Sequence, residues 1–152
     1  MNPQTVKHWV DNKTAMMNDP DFDVAKIDRF IALRRKLIRE CQENGVGLLL
    51  GCDAPQVFNV PGFSTHNELE YLVLAGLTPY DALRTGTVNV AQYLGRENAG
   101  VVRQGAVSDL VLLNANPLED IKQSRNIAGV MIGEKWMDKA YIDSELKRLV
   151  KE

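Results

Sequence analysis

Val46-Gly47-Leu48-Leu49-Leu50-Gly51-Cys52-Asp53 is an almost wholly apolar run that ends on a carboxylate. It shows no alternation of apolar and polar residues, the pattern of a strand buried on both faces, as in a parallel sheet. Upstream, Val24, Ile27, Phe30, Ile31, Leu37, Ile38 and Cys41 recur at helical spacing, with Asp21 and Asp23 as acidic start signals and Gly45 as the stop. That spacing predicts a long amphipathic helix. Its Arg29, Arg34, Arg35, Lys36 and Arg39 read as the charged solvent face expected opposite an apolar stripe. A helix followed at once by a buried strand is an α/β unit, and in such folds ligands and catalysis gather at the carboxyl ends of strands. Asp53 occupies that position.

Beyond Asp53, residues 54–63 contain Pro55, Pro61 and Gly62 and read as a loop. Thr65 and Glu68 have capping-box spacing ahead of Leu69, Leu72 and Val73, with Gly76 placed to end that helix. Thr78-Pro79 opens a second helix that carries Leu83, Val90, Ala91 and Leu94 before Gly95. From Gly100 the pattern changes. Leu110 to Leu113 and Ile127 to Ile132 read as strands, and Gly133-Glu134 as a two-residue hairpin turn into Lys135-Trp136-Met137. Ile142, Leu146, Leu149 and Val150 predict a small C-terminal amphipathic helix.

Composition removes several function classes. With 152 residues, 45% hydrophobic and 25% charged, the chain has the make-up of a globular domain rather than a disordered one. Eighteen basic against twenty acidic residues, a net charge of -2, offer no electrostatic footprint for nucleic acid. No run approaches the roughly 18 apolar residues of a membrane span, and Met1-Asn2-Pro3-Gln4 is not the start of a signal peptide. Cys41 and Cys52 have neither C-x-x-C nor zinc-ligand spacing and read as small buried hydrophobes, which implies a reduced, cytoplasmic protein. If the chain is the tail of something longer, a signal peptide would lie upstream. Phosphate-loop, dinucleotide and nucleophile-elbow motifs are absent, so nucleotide binding and serine hydrolysis have no support.

Two residues stand out as candidates. A carboxylate ending an apolar strand must be hydrogen-bonded, paired or metal-bound if buried, although Asp53 in the same position could equally cap a loop. His66 opens a helix beyond a loop that would rim the same face, where it could hydrogen-bond a substrate or serve as an ordinary surface histidine. His8, amid Val6, Trp9 and Val10, has a weaker case, and Trp9 and Trp136 read as packing residues. With only two histidines, a histidine-built zinc site cannot be completed within one copy unless carboxylates or water supply most ligands.

Taken in order, Gly51-Cys52-Asp53-Ala54, Pro61 to Leu69, and Ala75-Gly76-Leu77-Thr78-Pro79 with Ala82-Leu83 resemble the last barrel strand and following helices of the amidohydrolase superfamily. The likeness continues through Asn89, Leu94-Gly95, Gly100, Gly105, Asp109 to Leu113 and Asn116 to Ile121, which look like the return into the family's small β-domain. It spans about Val24 to Met137, and the nearest branch looks like the imidazolonepropionase-like and Xaa-Pro dipeptidase-like enzymes. The resemblance implies an α/β fold: the C-terminal part of a TIM-type (β/α)8 barrel followed by strands of a composite β-sandwich. Residues 1–99 would be barrel, 100–138 β-strands of the small domain and 139–152 a terminal helix. A complete barrel needs about 250 residues, more than this chain has.

By the same resemblance, Asp53 matches the family's strand-end aspartate, a metal ligand and proton shuttle in hydrolysis of an amide, cyclic amide or dipeptide C–N bond by metal-activated water. The cofactor implied is a divalent metal, zinc, in a full-length parent, with none required to bind this chain. His66 would contact a small-molecule substrate. The departures are substantial. The family's His-x-His pair on the first strand, its bridging lysine or glutamate and its mid-barrel histidines have no counterpart, while Cys52 and Ser108 replace the usual Thr and Ala. The expectation is an isolated chain without activity that self-associates through an exposed barrel edge, with no nucleic-acid or membrane partner. The alternatives are a non-catalytic half-barrel module acting through a partner, and a differently folded small α/β binding protein.

Overall fold

The computed structural model describes residues 2–149. The chain is mixed α/β, with helices in its first two-thirds and a small antiparallel sheet near its end. It opens on α1 (Pro3–Met17), which the apolar periodicity did not announce. Asn2 caps it by accepting from the Gln4 N–H at 2.8 Å, and Pro3 has the preset φ of a first helical turn. None of its residues is buried, and Trp9 meets Phe58 with ring centroids 5.7 Å apart.

The predicted long helix is α2 (Val24–Glu43), capped by Asp23, which accepts from the Lys26 N–H at 3.0 Å. Gly45, at φ 71, takes the left-handed conformation that ends the helix without a Cβ penalty. No residue of α2 is buried, and Phe30, Leu33 and Leu37 are each more than half exposed. Only Ile38 packs at the margin of the core.

The decisive run departs from expectation. Among the described residues 46–53 pair with no strand, so the parallel-sheet strand is not formed. A ladder needs a neighbouring backbone, and beyond the helix-end bond from the Val46 N–H to the Cys41 carbonyl at 2.9 Å this run's backbone finds single anchors: the Leu50 N–H donates to the Thr85 carbonyl at 3.0 Å, and Asn89 Nδ2 to the Leu48 carbonyl at 2.9 Å. Leu48 and Leu50 pack against the core, whereas Val46 and Leu49 are exposed. The run is therefore covered on one face rather than two.

Helix α3 (Ser64–Leu74) starts one residue before the predicted capping box, which is not made. Phe63 stands at the cap position without a side-chain bond, and Ser64 Oγ instead accepts from the Val60 N–H at 2.8 Å, leaving Thr65 and Glu68 inside the helix. Past Gly76 comes α4 (Pro79–Thr85), capped as predicted by Thr78, which accepts from the Asp81 N–H at 3.1 Å. The single helix expected up to Leu94 is broken, and α5 (Val88–Tyr93) follows separately. The break has a cause in the packing: the Thr85 carbonyl is taken by Leu50 rather than by the next helical turn, and Gly86 lies under Leu50, whose Cδ2 would be 2.7 Å from a Cβ there. Leu69, Leu72, Leu77, Ala82 and Ile121 form the core. Arg39 is exposed, as predicted, and its aliphatic stem runs over Gly76 on the way to solvent, with Cδ 2.8 Å from where a Cβ would stand.

Strands β1 (Leu110–Leu113), β2 (Ile127–Ile132) and β3 (Lys135–Asp138) form an antiparallel sheet in sequence order, with the two predicted strands and the Gly133-Glu134 hairpin as expected. Trp136 packs over Gly129, where a Cβ would lie 2.2 Å from its ring. A 3-10 helix (Ile121–Arg125) between β1 and β2 carries Ile121 into the helical core. Helix α6 (Lys139–Leu149) closes the described chain, and Val150 lies outside the described residues. Among the described residues no helix is long and apolar enough to cross a membrane.

Candidate functional site

Asp53 ends the extended run with φ 53, a left-handed conformation that Asp and Asn tolerate better than most residues. Its carboxylate is exposed and accepts from Gln56 Nε2 at 2.6 Å through Oδ2. The turn that brings Gln56 back is held by an Asn59 N–H to Gln56 carbonyl bond at 2.9 Å. One carboxylate oxygen is thus oriented by a neutral amide, and the group remains open to solvent.

His66 sits in the first turn of α3, half-buried, with Nδ1 3.0 Å from Ser124 Oγ of the 3-10 helix. Next to that contact Arg125 grips α3: its Nη2 donates to Glu70 Oε1 at 2.7 Å and to Asn67 Oδ1 at 2.6 Å, and its Nε to the same Glu70 oxygen at 3.0 Å. Burial, and secondly the Arg125 guanidinium, hold the His66 pKa below that of a free imidazole, with Glu70 opposing. Burial likewise shifts Glu68, raising its pKa, and Arg34 of α2 works against that rise.

No hydrogen bond joins Asp53 to His66, but their neighbours meet: Cys52 Sγ lies 3.9 Å from Thr65 Oγ1. Both cysteines are half-buried free thiols rather than fully buried ones. His8, on the exposed α1, has Nε2 3.0 Å from Asn12 Nδ2. Gln56, Ser124 and Arg125 escaped the sequence reading. They lie in polar stretches without periodicity, and Ser124 and Arg125 reach partners 55 to 58 residues away, so no local signal announces them. An open cleft of about 500 Å³ lies at the other end of the run, lined by Val46, Leu49, Arg84, Asn89 and Tyr93, and contains neither Asp53 nor His66.

A metal needs several fixed donors converging on one point. Among the described residues no group of three or more His, Cys, Asp or Glu is placed to hold one. Asp53 can offer one ligand, with Oδ2 already engaged by Gln56, so the residues present do not by themselves fit a metal centre.

The family model described as "Amidohydrolase family" matches residues 4–137, most of the chain. The chain belongs to the amidohydrolase family. Among curated proteins it is similar to ochratoxinase from Aspergillus niger, 33% identical over 101 residues that make up 64% of this chain and 20% of that protein. Among solved structures it is similar to a putative prolidase from Bifidobacterium longum, with 34% identity, a TM-score of 0.59 and coverage of 73% of this chain and 29% of that one. A Xaa-Pro dipeptidase with methionine bound in its active site shares the fold at a TM-score of 0.65 and 23% identity, over 88% of this chain and 33% of the other. The amidohydrolase chain described here thus spans about a fifth to a third of the length of these relatives.

Proposed function

We propose that this chain is the C-terminal segment of a hydrolase that cleaves a non-protein C–N bond, amide, cyclic amide or dipeptide, and that it is inactive alone. The observation that carries the reading is the family match over residues 4–137, within which Asp53 ends the apolar run on an open, strained turn. Support for the bond class comes from the prolidase likeness. In this reading the run 46–53 is a barrel strand whose neighbours come from outside the chain, the sheet of β1 to β3 belongs to the small composite domain, and α6 is a terminal helix.

The role of each residue follows from its chemistry. Asp53, exposed at the end of the run, takes a proton from the attacking water and returns it to the leaving nitrogen, while Gln56 holds one of its oxygens in place. His66 hydrogen-bonds an oxygen of the small-molecule substrate. A divalent metal, zinc by family likeness, would supply Lewis-acid activation of the water, with most of its ligands contributed from outside this chain. The test uses the chain as it is. Calorimetric titration should show only weak zinc binding, and dipeptide and N-acyl amino acid panels should show no turnover with zinc present. A tight stoichiometric site abolished by Asp53→Asn, or measurable hydrolysis, would overturn the reading.

We propose further that the isolated chain associates with a second copy. Phe30, Leu33 and Leu37 on α2 and Val46 and Leu49 on the unpaired run are exposed apolar side chains, and apolar surface together with unpaired backbone is a combination that proteins rarely leave in water. Light scattering at rising concentration should give a mass that grows beyond one chain, and a clean monomer at all concentrations would count against the open edge. The alternative, a non-catalytic module that works through a partner, draws on the same flank and is separated by the Asp53 test in the longer protein.

A further inference from the structure

The 3-10 helix places a buried hydroxyl against the histidine of the proposed site. Ser124 is 6% exposed, and its Oγ has one partner among the described residues, His66 Nδ1 at 3.0 Å. A buried hydroxyl proton needs an acceptor, because leaving it unmatched costs about 1–3 kcal/mol. If Nδ1 carried the hydrogen, the Ser124 proton would have none. If Ser124 donates, Nδ1 is the bare nitrogen and the ring hydrogen stands on Nε2. Nε2 makes no hydrogen bond among the described residues and is not sealed from solvent, since no buried side-chain nitrogen or oxygen there lacks a partner.

We propose that Ser124 is a positioning residue for His66: its hydroxyl donates to Nδ1, fixes the imidazole as the Nε2–H tautomer, and makes Nε2–H the donor that His66 presents to a substrate oxygen. This rests on the reading of His66 as substrate-facing. Arg125 supports the arrangement by locking the 3-10 helix to Asn67, next to His66, and to Glu70, one turn along α3. The charged groups around the ring are Arg125 on the 3-10 helix and Glu70 on α3, and burial with Arg125 outweighs Glu70 in keeping the ring neutral. The small-domain side of the chain thereby sets the donor pattern of a residue on the barrel side.

Only two histidines occur in the chain, so long-range nitrogen–proton correlation spectra near pH 7.5 resolve both, with exposed His8 as the internal reference. His66 should show Nδ1 as the unprotonated nitrogen and a dominant Nε2–H form. Ser124→Ala should lose that preference, and Ser124→Thr, which keeps the hydroxyl, should retain it. An Nδ1–H ring at His66 in the unaltered chain would overturn the assignment even if Ser124→Ala fails to fold, and so would an unchanged tautomer in a folded Ser124→Ala. None of these readouts uses activity. Ser124→Ala in the longer enzyme should raise KM more than it lowers kcat, and a KM that stays put while the tautomer shifts would overturn the substrate-facing reading alone.

Discussion

Asp53→Asn in the longer enzyme proposed to contain this segment should lower kcat by roughly 10²-fold or more, the usual scale of a general acid–base contribution. The replacement is well matched to the site. Asn tolerates the left-handed φ of 53 almost as well as Asp, and its side-chain oxygen can still accept from Gln56 Nε2. Because the side chain is exposed and Asn keeps both the left-handed φ and the Gln56 bond, the thermal midpoint should hardly move. The variant therefore removes the base while keeping the turn. Asp53→Ala is the useful contrast, since alanine in a left-handed conformation costs about 1–2 kcal/mol and so lowers both rate and midpoint. If Asp53 only shaped the loop, Asn would leave kcat near its original value and Ala alone would do damage. Near-unchanged turnover in Asp53→Asn would sink the proton-relay assignment.

What the sequence disclosed divides by the range of the interaction involved. Asp23, Thr78 and the Gly133-Glu134 turn act on backbone a few residues away, and each works as its spacing predicts. The strands at Leu110–Leu113 and Ile127–Ile132 were legible because each meets its partner nearby in the chain. The Thr65–Glu68 box failed for a tertiary reason: Ser64 found Val60 first, and the helix began earlier. Leu50 likewise took the Thr85 carbonyl and split one predicted helix into two. At the site, Asp53 could be picked from its place at the end of an apolar run. The partners that shape the candidates could not, because Ser124 and Arg125 reach His66, Asn67 and Glu70 from more than fifty residues away.

The same division governs stability, and Leu72 and Leu74 on one helix expose it. Leu72 is 5% exposed in the core with Leu69, Leu77, Ala82 and Ile121, whereas Leu74, two positions on, is 60% exposed. Leu72→Ala should destabilise the isolated chain by about 2–5 kcal/mol, through lost burial plus the cavity that neighbouring side chains only partly collapse into. Such a loss is a large share of the roughly 5–15 kcal/mol that holds a typical domain together. Here the margin is narrower, because α1 and α2 contribute no buried residue and the core rests on α3, α4, the connecting Leu77 and one residue of the 3-10 helix. Leu74→Ala should stay within about 0.5 kcal/mol in the same chain, as an exposed substitution does. Urea denaturation of both variants, followed by circular dichroism at a concentration below self-association, measures the difference directly. The comparison also bears on what lies beyond the chain: in a longer enzyme Leu74→Ala should become costly if the remaining barrel covers it, while the cost of Leu72→Ala stays where it was. Equal costs for the two in the isolated chain would mean that Leu74 is already buried, by a second copy or by a rearranged core, and would overturn the packing described above.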